Sequence, residues 1–132
     1  VRDFPRPKPV KVKIFGDEHE LHRLTRQDVW NLTETVAEQL QGVIEKMVGE
    51  GLPVPEAVKG ALRGGGPALD LLLKTSFPTF REWNELPMKY ELQLMDLVWE
   101  ENDLAGIVED FFALTEKVAR SAKRISTLKS KG

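Results

Sequence analysis

Cysteine is absent from the chain, which excludes disulfides, thiol nucleophiles and cysteine-held zinc. Histidine occurs only as His19 and His22. On a strand, residues three apart point to opposite faces, so this pair is mis-set for a shared metal despite the flanking Glu18 and Glu20. Serine is confined to Ser76, Ser121, Ser126 and Ser130, none in a nucleophile-elbow setting. No apolar run approaches the roughly 20 residues that cross a bilayer. No apolar core follows the charged start, as a secretory signal requires. The acid pairs Glu100–Glu101 and Glu109–Asp110 are sequence neighbours that diverge on a helix, so they are expected to be solvated faces. The triple glycine at 64–66 has no strand before it and no Lys-Ser/Thr after it. A hinge between helices is therefore expected there, not a phosphate loop. A cytoplasmic, non-enzymatic protein without metal or cofactor is the resulting expectation.

What is present suits one domain. A chain of 132 residues, 41% hydrophobic and 30% charged, can bury a core without staples. The net charge of −2 conceals segregation. Residues 1–15 carry net +4, residues 16–78 net −4, residues 79–116 net −8 and residues 117–132 net +6. An acidic body thus has two basic ends, suited to nucleic acid or an acidic partner, or simply solvated.

The three prolines of FPRPKP make residues 1–9 an extended arm. Val10, Val12 and Ile14 alternate with Lys11, Lys13 and Phe15, the period of a strand. Gly16-Asp17 signals a turn, and a return strand is expected over residues 18–24. Thr25 with Asp28 predicts a capping box for a helix through about Val48. Its apolar stripe is Val29, Leu32, Thr33, Val36, Leu40, Val43, Ile44 and Met47, with Trp30 at the edge. Short helices are expected over residues 54–62 and 68–74, then one capped by Thr79 and Glu82.

Residues 80–118 hold two of three Trp, three of six Phe and the only Tyr. They are therefore expected to organise the core as two amphipathic helices joined at Asn102-Asp103. In the first, Met88, Leu92, Met95 and Trp99 share a face, while Tyr90, Leu94, Leu97 and Val98 widen the apolar arc beyond a surface helix's need. In the second, Leu104, Ile107, Val108, Phe111, Leu114 and Val118 form the stripe, with Phe112 at its rim. If that hairpin dominates the core, Phe111→Ala costs about 3–5 kcal/mol. The candidate partner-binding residues are Trp30, Tyr90, Leu94, Leu97, Val98, Trp99 and Phe112. The expected fold is mainly α with a small N-terminal β-hairpin (α+β), five to six helices packed with the hairpin. The expected organisation is an arm over residues 1–9 and a domain over 10–118, its hairpin at 10–24 and its helices at 26–118. A basic flexible tail over 119–132 completes it.

Three stretches, VKVKIFGDEHELHRLTRQDVWNL, FREWNELP and ELQLMDLVWEENDLAGIVEDFFAL, occur in the order found in the small tail assembly chaperones of long-tailed bacteriophages and prophages, which the chain resembles. Residues 49–67 have no counterpart in the resemblance. It implies a protein that binds the long helical tape-measure protein and keeps it soluble until tail-tube subunits polymerise around it. The tape-measure protein is the implied partner, with tail-tube protein at the handover. The implied location is the host cytoplasm, not the mature virion. A frameshifted longer form is a family trait. The alternatives are a small nucleic-acid-binding or regulatory protein using its basic ends, and a structural subunit that forms a homo-oligomer.

Overall fold

The structure, a computed structural model, describes residues 1–111. Phe112, the expected continuation to Val118 and the basic tail lie outside the described residues. Residues 1–9 are exposed and form neither strand nor helix. Next come β1 (Lys11–Ile14) and β2 (Asp17–Glu20), then α1 (Arg26–Gly49), α2 (Val54–Arg63) and α3 (Pro67–Ser76). A 3-10 turn (Trp83–Glu85), α4 (Met88–Glu101) and α5, helical over residues 104–111, complete the described chain. The architecture is the expected one: a small antiparallel hairpin followed by a bundle of five helices among the described residues.

The hairpin turn lies one residue earlier than Gly16-Asp17. Ile14 pairs with Asp17, and Phe15 and Gly16 make the turn with φ of 52° and 85°. Two positive φ values define a type I′ turn, which matches strand twist. β2 stops at Glu20 and not at Leu24, because the chain then leaves its partner for the bundle. Leu21 N–H still donates to Val10 O at 2.8 Å, but His22 N–H donates to Ser76 O at 2.8 Å.

α1 starts on the expected capping box. Thr25 Oγ1 accepts from Asp28 N–H at 3.3 Å, and Asp28 Oδ2 accepts from Thr25 N–H at 2.8 Å. The helix has 24 residues, whereas α2 and α3 have ten each. At 1.5 Å per residue that is about 36 Å against about 15 Å. α2 turns back from the C-terminal end of α1 and can cover less than half of it. Hence Ile44 alone is fully buried on α1, and Val29, Leu32, Val36 and Leu40 are only half-buried. Val43, expected in the stripe, is 46% exposed.

The core centres on α2 and α3, not on the expected α4–α5 pair. Ala57, Ala61 and Ala68 are buried and let the short helices approach closely around Leu62, Leu69, Leu72, Leu73 and Phe77. α4 adds Met95, Val98 and Trp99, and α5 adds Leu104. Phe111 is half-buried, so the loss of 3–5 kcal/mol assigned to its truncation belongs to Phe77 instead. The expected Thr79/Glu82 box does not form either. The Thr79 hydroxyl pairs with His19 Nδ1 at 2.8 Å, and the 3-10 turn has no side-chain cap.

One set of hydrogen bonds joins the two ends of the described domain. Arg23 donates to the Glu101 carbonyl, and Leu24 N–H donates to Asn102 Oδ1 at 3.0 Å. Asn102 Nδ2 in turn donates to Val98 O at 2.9 Å. Asn102 thus closes α4 and holds the junction between hairpin and α1.

Two stability measurements follow from the packing. Phe77→Ala should lower unfolding free energy by about 3–5 kcal/mol, whereas Val43→Ala should stay within about 0.5 kcal/mol. The buried Ser76 hydroxyl has no hydrogen-bond partner among the described residues. Ser76→Ala removes that desolvated group and should stabilise by about 1 kcal/mol in denaturant titration; a loss of stability would contradict the packing.

Candidate functional site

The overhang of α1 creates an open apolar groove of about 280 Å³. Val29, Leu32 and Val36 form one wall, and Ile107, Val108 and Phe111 of α5 the other. Ile44, Val58, Leu62, Trp99 and Leu104 make the floor. Its polar lining is already engaged within α1: Thr33 Oγ1 donates to Val29 O at 2.8 Å, and Gln41 Nε2 to Glu45 Oε1 at 3.0 Å. Cofactor and small-molecule sites are usually roughly 300–1,000 Å³ with convergent polar groups. This groove is open and its polar groups are engaged, so it suits apolar side chains presented by another helix.

Charge marks its rim. Trp30, Glu34, Gln41 and Glu45 recur at intervals of four, seven and four, so they share one stripe of α1. Gln41 and Glu45 line the groove, which makes that stripe its edge. On α5 the exposed residues Ile107 and Asp110 share the opposite edge, where Ile107 lines the groove. Three carboxylates, Glu34, Glu45 and Asp110, therefore flank the groove, against Arg26 at the start of the α1 stripe.

The expected partner-binding residues fall in separate places. Trp30, on the groove edge, is 56% exposed, and Trp99 is buried with its side chain in the groove floor. Tyr90 and Leu94 instead line a second cleft beside the hairpin, about 390 Å³, with Lys13, Ile14, Phe15, Leu86 and Gln93. Leu97 is half-buried against the core. Val98 is fully buried and makes no surface, because α4 is enclosed by its own domain along that face. Phe112 lies outside the described residues. The α1 wall was missed because its stripe reads as core; only the mismatch between a 24-residue helix and its ten-residue neighbours could have signalled it.

Among the described residues, no three His, Cys, Asp or Glu side chains gather to hold a metal ion. His19 and His22 are engaged separately, His19 with Thr79 and His22 Nε2 with Asp28 Oδ2 at 3.2 Å. No described helix is long and apolar enough to cross a membrane. Comparison with models of known families, with curated proteins and with solved structures finds no match.

Asp28 anchors the α1 wall. The Thr25 N–H holds its carboxyl below the ordinary 3.8, opposed by partial burial and assisted by the Thr25 hydroxyl and the His22 ring. A depressed folded value means the contribution is present above 3.8 and lost as pH falls through the lower value. Asp28→Ala should therefore lower stability by about 1 kcal/mol at pH 7, and the gap from the parent should close in acid. Denaturant titrations at pH 7 and pH 3 check it.

Proposed function

We propose that the chain is a non-enzymatic chaperone that binds an amphipathic helix in the groove between α1 and α5. The observation that carries this reading is the half-buried wall of α1, Val29 to Val36, left open by the described residues and facing α5 across an apolar floor. The occupant is a helix with an apolar stripe and basic flanks. Its apolar residues at i, i+3 and i+4 fill the groove, and its Lys or Arg residues meet Glu34, Glu45 and Asp110. Burial of apolar side chains supplies affinity, while the carboxylate rim sets orientation and on-rate.

A tail assembly chaperone has this task. The tape-measure protein is long, helical and apolar-faced before its tube surrounds it, and a groove covering such a face prevents its aggregation. The sequence resemblance supports the same reading, and tail-tube protein would then displace the chaperone. Nucleic-acid binding through the basic ends is the competing outcome, marked by strong salt dependence.

Ala37 is exposed yet lines the groove, so it can be changed without touching the core. Ala37→Arg should leave the unfolding transition unchanged and lower client affinity at least tenfold, about 1.4 kcal/mol. The full chain is co-expressed with a tape-measure protein of a long-tailed phage. The parent should bring the client into the soluble fraction as a nuclease-resistant complex, and Ala37→Arg should leave it in the pellet. Equal rescue by both would remove the groove from the function; recovery of nucleic acid alone would overturn the reading.

A further inference from the structure

We infer that the outer edge of β1 and the cleft beside it form a second docking site, for an extended peptide that alternates acidic and apolar residues. The register pairs Ile14 with Asp17 and Val12 with His19, and Leu21 N–H donates to Val10 O. In an antiparallel ladder alternate residues turn their backbone groups outward, here Lys11 and Lys13. No described residue pairs with those outward groups. β2 is covered differently: His19 packs edge-on against Phe80 with ring centroids 5.4 Å apart. β1 instead faces α4 across the cleft lined by Lys13, Ile14, Phe15, Leu86, Tyr90 and Leu94.

Phe15 is the second, independent observation. Type I′ turns favour Asn or Gly at this position, because both central residues take positive φ. A bulky residue at φ 52° is a backbone outlier, yet Phe15 remains 48% exposed despite its contact with Phe80 at 5.9 Å. Tyr90, across the cleft, is also 48% exposed. Outliers of this kind gather at binding sites. The two rings stand at the mouth of the cleft, where an apolar side chain of an added strand would enter.

Charge selects the occupant. Lys11 and Lys13 lie on the exposed face of β1, one strand repeat apart, about 6.8 Å. Glu20 and Glu18 stand opposite them on β2 without forming an ion pair, so the lysines remain the charges nearest the outer edge. Residues opposite them on an added strand are favoured when acidic and opposed when basic. A second copy pairing β1 with β1 would set lysines against lysines, so the hairpin edge disfavours its own dimer. The occupant's intervening residues continue the apolar face of Val12 and Ile14 toward Leu86 and Leu94, which gives the alternation its apolar half. This site is separate from the α1–α5 groove and does not rest on the function proposed for it.

The test is titration of the isotope-labelled full chain with a capped hexapeptide of alternating Glu and Ile, followed by amide NMR and hydrogen exchange. Shifts should centre on residues 11–15 and Tyr90, with at least threefold slower exchange at the Lys11 and Lys13 amides. A Lys-Ile hexapeptide should bind at least fivefold more weakly. Phe15→Asn relieves the turn and should keep or raise stability while weakening binding at least fivefold; Lys11→Gln with Lys13→Gln should weaken it similarly. Equal binding of both peptides, shifts confined to the α1–α5 groove, or no shift at millimolar peptide would overturn the site. Concentration-dependent protection of Lys11 and Lys13 without peptide would overturn it in favour of a second copy. Ala37→Arg should leave this binding unchanged, which separates its failure from failure of the groove.

Discussion

The grip of residues 23–24 on the end of α4 is the constraint from which both surfaces follow. Asn102 spends its carbonyl oxygen on Leu24 N–H and its amide on Val98 O, and Arg23 takes the Glu101 carbonyl. Helix ends leave carbonyls without intrahelical partners, and here the hairpin–α1 junction supplies donors for them. That contact sets the start of α1 against the start of α5, which opens the groove. It also sets the hairpin beside α4, which opens the cleft. Arg23 further pairs with Glu101 Oε2 at 3.3 Å, a half-exposed ion pair that contributes little beyond orientation.

Local chemistry was legible wherever it was self-contained. The Thr25–Asp28 box, the reach of α1, the breaks around residues 49–53 and 64–66, and the hairpin itself all depend on residues close in sequence. The errors lie where a distant group intervened. Thr79 reads as a cap until His19, sixty residues away, takes its hydroxyl. Val29 to Val36 read as core, and Leu32 and Val36 do pack against it, but no described residue closes over their outer side. Met88 and Val98 belong to one wide apolar arc on α4, yet one is exposed and the other fully enclosed, because exposure depends on where the arc meets α3 and the hairpin. Of the expected docking residues, Trp30, Tyr90 and Leu94 stand on two different surfaces, a division no helical periodicity contains.

The charge segregation acquires a physical layout. The groove is acid-rimmed and the outer strand edge carries lysines, so the occupants proposed for the two surfaces are opposite in charge. Inside the domain the same acidity is offset locally: Asp96 on α4 receives Arg63 at 2.7 Å and Lys59 at 3.6 Å from α2. Those pairs tie α2 to α4 across the back of the core. They leave the carboxylates of α1 and α5 to face outward.

The grip of Leu24 on Asn102 also has a kinetic meaning, because it spans 78 residues of chain. Contacts of such separation close late, after the loop-closing entropy of the intervening helices has been met. During synthesis α1 emerges early with its apolar stripe bare, ahead of every helix that packs on it. The cleft needs the chain only through α4, whereas the groove waits for residues 104–111 of α5. A nascent chain can therefore fold its centre before either surface is complete.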